Sequence, residues 1–272
     1  MRIEYIGHSG VLVETERLNL IFDCIVGQPA SEDKEWFYDI GQMPELDKSK
    51  GTVFFVSHNH GDHYGPQIWD ARDYLDNVYY VLSKDVHFSS GVRARLNITE
   101  ADMPRISRLK GYTSNDIQLP WGDTIHVETI PSTDVGVAYL ILADGHTIYH
   151  AGDHNLWLWE EGGEKYMAEM TKNFMGPVEH LATVLSQPPF SLDGAPAQIE
   201  LACLLLDERI EGHIYDGIDA YLNMLPIKTV LPIHQWQEYF VTDNYKRARA
   251  DFLAEHGINI LKVTGENCRF EI

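Results

Sequence analysis

The sequence is short of cysteine, of basic residues and of long apolar runs, and each shortage excludes something. Its three cysteines, Cys24, Cys203 and Cys268, stand far apart with no CxxC pair. An odd, scattered set fits free thiols in a reducing compartment better than a disulfide framework. No window approaches the roughly twenty consecutive apolar residues that a spanning helix needs. The opening Met1-Arg2-Ile3-Glu4-Tyr5 alternates polar and apolar residues, unlike the apolar core of a signal peptide. These features predict a cytoplasmic protein with no membrane partner. Lys and Arg number 21 against 41 Asp and Glu, a formal net charge of -20. So acidic a surface repels polyanions. The densest basic cluster, Lys246-Arg247-Ala248-Arg249, reads as one face of a late helix, so nucleic acid is not an expected partner.

What is present is an ordinary globular balance: 272 residues, 44% hydrophobic and 23% charged. A chain of this length buries a sizeable core without staples. No repeat, low-complexity tract or flexible linker divides it, which predicts a single domain over residues 1–272. Short β-type segments occur at 3–6, 10–14 and 18–22, then a polar stretch at 24–50 that is either a loop beside the active site or an insertion. Residues 52–56, Thr-Val-Phe-Phe-Val, read as a strand buried on both faces. Further strands are expected at 78–82, 124–130, 137–142, 147–150, 201–206 and 228–233, with two short ones closing the chain. Helical patterns fall at 66–75, 164–184, 215–225 and 245–255. Strands that arrive in groups, with helices between some of them, argue for an α/β (α+β) fold. Two sheets pack face to face with helices outside, a four-layer αββα sandwich.

The chemistry concentrates in His58-Asn59-His60-Gly61-Asp62-His63, directly after the apolar run at 52–56. In extended backbone, residues two apart project to the same side, so His58 and His60 can face one ion. Gly61 permits a sharp change of direction, bringing Asp62 and His63 round beside the first pair. Pro66 suits the first turn of the helix that follows. Imidazole and carboxylate together suit zinc, iron or manganese. Two later segments repeat the pattern of an apolar strand ending in a ligand-type residue: Tyr149-His150-Ala151-Gly152-Asp153 and Val230-Leu231-Pro232-Ile233-His234.

The run at 58–63 resembles the HxHxDH signature of the metallo-β-lactamase superfamily. Gly152-Asp153 and Pro232-Ile233-His234 are similar to its later aspartate and histidine motifs, in the same order. Gly7-His8-Ser9-Gly10 and Ile21-Phe22-Asp23 look like the branch that contains the L-ascorbate-6-phosphate lactonase and related uncharacterised hydrolases. The resemblance covers nearly the whole chain. It implies the metallo-β-lactamase fold, with His58 and His60 on a first metal, Asp62, His63 and His234 on a second, and Asp153 bridging. Asp23 would fix a ligand imidazole from behind. The family's further first-site histidine is missing, since the loop reads Pro131-Ser132-Thr133-Asp134-Val135-Gly136. Three accounts stand: Asp134 supplies an oxygen ligand, which is favoured; His154 reaches the centre; or the first site is weak or empty. His154 has two further readings, as a proton donor or a substrate contact.

The resemblance implies a divalent metal, Zn2+ first with Mn2+ or Fe2+ compatible, at one or two per chain. The expected activity is hydrolysis of a small ester, lactone, amide or phosphodiester by metal-activated water, with Asp62 orienting the water or accepting its proton. The alternative is a metal-binding protein with a degenerate or mononuclear site and a structural or sensing role. Leu156-Trp157-Leu158-Trp159 and Trp36-Phe37-Tyr38 are candidate walls of a substrate pocket.

Overall fold

The computed structural model describes residues 1–27 and 38–272, so Trp36 and Phe37 lie outside the described residues. The β-type segments build two sheets of seven strands each. In the first, β1 (Arg2–Gly7), β2 (Gly10–Glu14) and β3 (Leu18–Phe22) form an antiparallel meander. β4 (Gly51–Val56), β5 (Val78–Ser83) and β6 (Ile106–Leu109) then extend it in parallel. In the second, β7 (Ser114–Gln118), β8 (Thr124–Pro131), β9 (Val137–Ala143) and β10 (His146–His150) are antiparallel. β11 (Leu201–Leu205), β12 (Thr229–Ile233) and β13 (Asn259–Ile260) continue parallel to β10. β14 (Cys268–Glu271) returns to the edge of the first sheet beside β1.

Period-two alternation sorts the side chains between layers. On β4, Val53 and Phe55 join the core shared with the second sheet, while Phe54 and Val56 face an outer layer with Tyr80, Ile68 and Trp69. The second sheet is covered outside by α2 (Gly163–Val184) and α3 (Asp216–Met224), through Phe174, Val178, Leu181, Ile218 and Tyr221. The expected αββα sandwich is thus what the chain builds. No helix among the described residues is long and apolar enough to cross a membrane.

Some local expectations shift. Residues 66–75 form a 3-10 helix, Pro66–Asp73, which buries Ile68, Trp69 and Ala71. A three-residue turn aligns Ile68 with Ala71 on one face, so the tighter helix buries both. The late helix is two, α4 (Phe240–Ala248) and α5 (Ala250–His256), after α1 (Ser90–Arg95) earlier in the chain. The break falls at Arg249, whose guanidinium bonds Asp219 of α3 at 2.6 to 3.1 Å. Strand β7, Ser-Asn-Asp-Ile-Gln, buries only Ile117 and is an edge strand, so it carries no apolar alternation to read.

Candidate metal centre

Parallel neighbours end at the same edge of a sheet, so the residue after each is delivered to one place. β3 leads to Asp23, β4 to Ser57-His58, β10 to Asp153, β11 to Asp207 and β12 to His234. The two sheets are joined here by backbone hydrogen bonds. His234 N donates to His8 O at 3.1 Å, and Val137 N donates to Ser57 O at 3.0 Å. Two glycines allow this closeness. A Cβ on Gly136 would lie 2.1 Å from Ser57 O, and one on Gly152 would lie 2.7 Å from Ser57 Cβ; both have left-handed φ. The chain does turn at Gly61, with His63 N and Tyr64 N both donating to His60 O, but Gly61 has no positive φ and, among the described residues, a Cβ there would meet only Tyr38 Oη at 3.9 Å.

The ligand-type atoms gather into two sets. His58, His60, Asp134 and Asp153 form one; His8, Asp62, His63 and His234 form the other, with all donor atoms of a set within 4.8 Å of one another. His58 Nε2 faces His60 Nδ1 at 3.0 Å, and His60 Nδ1 faces Asp134 Oδ2 at 3.5 Å. Asp153 looks both ways. Its Oδ2 is 3.4 Å from His58 Nε2, while Oδ1 is 3.0 Å from His63 Nε2 and 3.4 Å from His234 Nε2. Asp62 Oδ2 lies 3.5 Å from His8 Nε2 and 3.8 Å from the Nε2 atoms of His63 and His234. Two nitrogens about 2.1 Å from one ion stand roughly 3 to 3.5 Å apart, so these spacings suit shared cations.

Behind the donors, other groups fix the rings of His58, His63 and His234. His63 Nδ1 lies 2.8 Å from Asp23 Oδ2, and His234 Nδ1 lies 2.9 Å from Asp207 Oδ2. Ser57 Oγ donates to Asp23 Oδ2 at 2.6 Å and meets His58 Nδ1 at 2.9 Å. Each Nδ1–H thus has an oxygen acceptor, which leaves the Nε2 lone pairs pointing inward, the arrangement metal-binding histidines adopt. The inward atoms have no hydrogen-bond partner among the described residues: His63 Nε2, His234 Nε2, Asp153 Oδ1 and both ring nitrogens of His8. Buried polar atoms left unpaired cost free energy unless something else meets them. Hard and borderline divalent cations fit this donor chemistry.

The electrostatics agree. Burial presses His8 down to about 3, with His234 adding to the effect, and His58 down to about 4, with His63 adding. Burial also opposes charge on Asp62 and Asp153, but the surrounding histidines outweigh it and hold both carboxyls below the usual range. Burial disfavours charge on His63 and His234, and the facing carboxylates, Asp153 foremost, overcome it and raise both. A pocket that draws protons onto buried imidazoles is one that attracts a cation.

Most of the residues singled out in the sequence, His58, His60, Asp62, His63, Asp134, Asp153 and His234, come together here, with Asp23 behind. His154 does not join them. It is buried, stacks on Phe174 with ring centroids 4.9 Å apart, and bonds Tyr221 Oη through Nδ1. Tyr221 in turn meets Tyr149 Oη at 2.8 Å. His150 ties the turn at His8 to the site, its Nε2 donating to Ser9 O at 2.9 Å and its Nδ1 accepting from Gly152 N at 3.1 Å. His8, Asp207, Arg209 and Trp236 were not legible as site residues. Asp207 follows the apolar strand β11 just as His234 follows β12, and that repetition is the signal that marks it.

His60, Asp62, Asp134, Asp153 and His234 open onto a cleft of about 300 Å³, lined also by Thr133, Trp157, Trp159, Tyr166, Met170, Arg209 and Trp236. Leu156 and Leu158 instead join the core. Tyr38 stands over His8 with ring centroids 5.1 Å apart and donates to Gly61 O at 3.2 Å.

No model of a known protein family matches the sequence. The chain is similar to proteins described as UPF0173 metal-dependent hydrolases. One from Nitratidesulfovibrio vulgaris is 27% identical over 219 residues, 76% of this chain and 77% of that one. One from Pelotomaculum thermopropionicum is 25% identical over 239 residues, 86% and 84% of the two chains. A third, from Opitutus terrae, is 26% identical over 169 residues, 58% of this chain and 64% of its own length. Among solved structures, Igni18, a metallo hydrolase from Ignicoccus hospitalis, superposes with TM-score 0.54 at 17% identity, covering 100% of this chain and 98% of that one. CmlA, a diiron β-hydroxylase from Streptomyces venezuelae, gives TM-score 0.60 at 12% identity, and this chain covers 54% of it. The fold is the metallo-β-lactamase fold. Within it, the candidate centre sits where strand ends of both sheets meet, and Asp134, on the loop after β8, joins the set of His58, His60 and Asp153.

Proposed function

We propose that the chain is a metal-dependent hydrolase that attacks a small ester, lactone, amide or phosphodiester with an activated water. The observation that carries this reading is the cluster of buried donor atoms from His8, His63, Asp153 and His234 that lack a hydrogen-bond partner among the described residues, with Asp153 and His234 lining the cleft. His58, His60, Asp134 and Asp153 would hold one cation, and His8, Asp62, His63 and His234 the other, with Asp153 between them. Zinc suits the nitrogen-rich set, and manganese or iron is compatible with the oxygen of Asp134. When bound, such cations bring a water's pKa towards neutrality and polarise a substrate oxygen.

The protein's own groups do the rest. Asp62 stays anionic among His8, His63 and His234, so its carboxylate orients the water or accepts its proton. Asp23 and Asp207 keep the proton of His63 and His234 on Nδ1 and the rings in place. Trp157, whose Nε1 donates to Asp153 O at 3.0 Å, fixes an apolar wall against the donors and sheds water from one side of the substrate. The test is metal content per chain together with chelator-sensitive turnover across ester, lactone, amide and phosphodiester probes. A tightly held ion with no turnover on any probe would favour the structural or sensing role instead.

A second reading draws support from Asp134. Its set pairs two imidazoles with two carboxylates, and oxygen donors suit iron. The same fold carries CmlA, described as a diiron β-hydroxylase. Iron as the bound metal, with reductant-dependent uptake of dioxygen and no hydrolysis, would decide for this reading.

A further inference from the structure

We infer that the cleft takes a substrate with a planar aromatic body and an anionic group, and that Arg209 binds the anion. The inference rests on the hydrolytic reading only in taking this cleft as the substrate site.

Arg209 is the one Lys or Arg among the described residues that line the cleft. Asp207 holds it as a fork, at 2.9 and 3.1 Å from Nε and 2.6 Å from Nη2. The guanidinium also lies 4.1 Å over the ring of Trp236, whose Nε1 donates to the same Asp207 oxygen at 3.2 Å. These contacts fix the plane of the group while Nη1 makes no hydrogen bond among the described residues. The side chain is 46% exposed. An arginine held on one edge and stacked on one face presents its other edge ready-made to a carboxylate or phosphate oxygen. Such a group matters more in a chain of net charge -20, whose general field repels anions.

The aromatic half of the inference comes from Trp157 and Trp159, which line the same cleft. Trp157 and Trp159 have rings 9° from parallel with centroids 5.9 Å apart. The first is pinned by its bond to Asp153 O and by Tyr166 Oη, which donates to Trp157 O at 2.7 Å. Rings held in place before binding lose little entropy on meeting a flat ligand, and offset stacking adds to what burial alone gives. Arg209 and Trp236 also line a second cavity of about 440 Å³, together with Glu208 and Glu238, whose carboxylates disfavour an anion there and leave the first cleft as the anion's place.

Three probes test this on the metal-loaded protein by titration calorimetry: phenylacetate, its neutral amide phenylacetamide, and the non-planar cyclohexylacetate. Phenylacetate should bind about tenfold or more tighter than the amide, the effect of a charge-assisted hydrogen bond. That preference should collapse in Arg209→Gln while metal content per chain is unchanged. Phenylacetate should also exceed cyclohexylacetate several-fold, and Trp159→Leu should erase the difference. Equal binding of acid and amide overturns the inference, as does a preference retained in Arg209→Gln, which would put the anion on the metal donors. Metal lost along with the preference also overturns it, because Arg209 would then act through Asp207 on His234. Turnover of the ester, lactone, amide and phosphodiester probes is followed in the same preparations. If none is cleaved while the discrimination persists, the hydrolytic reading fails and the binding inference stands; the converse result sinks only the inference.

Discussion

Asp23 Oδ2 receives both the Ser57 hydroxyl, at 2.6 Å, and His63 Nδ1, at 2.8 Å, while Ser57 N donates to Oδ1 at 2.7 Å. One buried carboxylate therefore satisfies three donors and orients two ring-bearing segments. The residue sits at φ 40, a conformation that asparagine also tolerates. Asp23→Asn should therefore fold, yet its amide has one oxygen and must turn an NH2 towards one of the three donors. Metal affinity should fall about 10- to 100-fold, the usual cost of losing a carboxylate behind a ligand histidine. Competition with a chromogenic chelator measures it, and unaltered affinity would remove Asp23 from the centre.

The Asp134 assignment is separable from the rest. Its side chain is 45% exposed at the rim, opposite His60, which is 51% exposed, so truncation leaves the core intact. If Asp134 takes the place of the missing histidine, Asp134→Ala should lose metal from the first set and keep it in the second. Elemental analysis should then show a drop of about one ion per chain relative to wild type. An unchanged count would leave the first set to His58, His60 and Asp153.

How far the sequence led depends on distance along the chain. The strands at 52–56, 201–206 and 228–233 were legible because burial on both faces demands unbroken apolar runs, and the donors at their ends inherit a fixed edge. His58, His60 and His63 share one short segment, so local geometry alone brings them together. His8 was not legible as a donor: it sits in the turn between β1 and β2 at φ 50, and only the closure of the second sheet, through His234 N on His8 O, places its ring 4.2 Å from that of His234. The two helices near the C-terminus were merged for the same kind of reason. What separates them is a bond from Arg249 to Asp219, 30 residues away in sequence. His154 follows Asp153 directly, and adjacency suggested the centre. The chain turns at Gly152, and His154 goes instead to Tyr221.

Asp62 is the residue on which turnover should hang. Its Oδ2 stands within 3.8 Å of three imidazoles, where the proposed function makes it a ligand and the group that orients the water or accepts its proton. Asp62→Ala should cut kcat by at least about 10²-fold, with circular dichroism and urea unfolding showing the fold retained. The carboxylate is only partly buried, at 19% side-chain exposure, and its removal relieves the desolvation it suffers there. Turnover kept within a few-fold of wild type on a validated substrate would exclude the role.

A pH effect on stability is expected away from the metal centre, at His126 on β8. Its Nδ1 lies 2.6 Å from Asp116 Oδ1 and its Nε2 3.1 Å from Glu128 Oε1. Both ring nitrogens can donate only as imidazolium. Burial opposes that charge, the bonds to Glu128 and Asp116 outweigh it, and the ring's pKa is raised above its ordinary 6.5. A histidine raised in the folded state binds its proton more tightly there than in the unfolded chain. Its contribution to stability is therefore complete below about pH 6.5 and fades as pH climbs through the raised value. His126→Gln has no such proton. Urea unfolding at a series of pH values from 5.5 to 9 should show wild type ahead of the variant at the acid end, with the gap narrowing as pH rises. Because any change in metal loading affects both proteins alike, the gap isolates the ring. A gap that stays constant, or widens with pH, would mean that His126 is held as the neutral imidazole and that only one of its two carboxylates is a true partner.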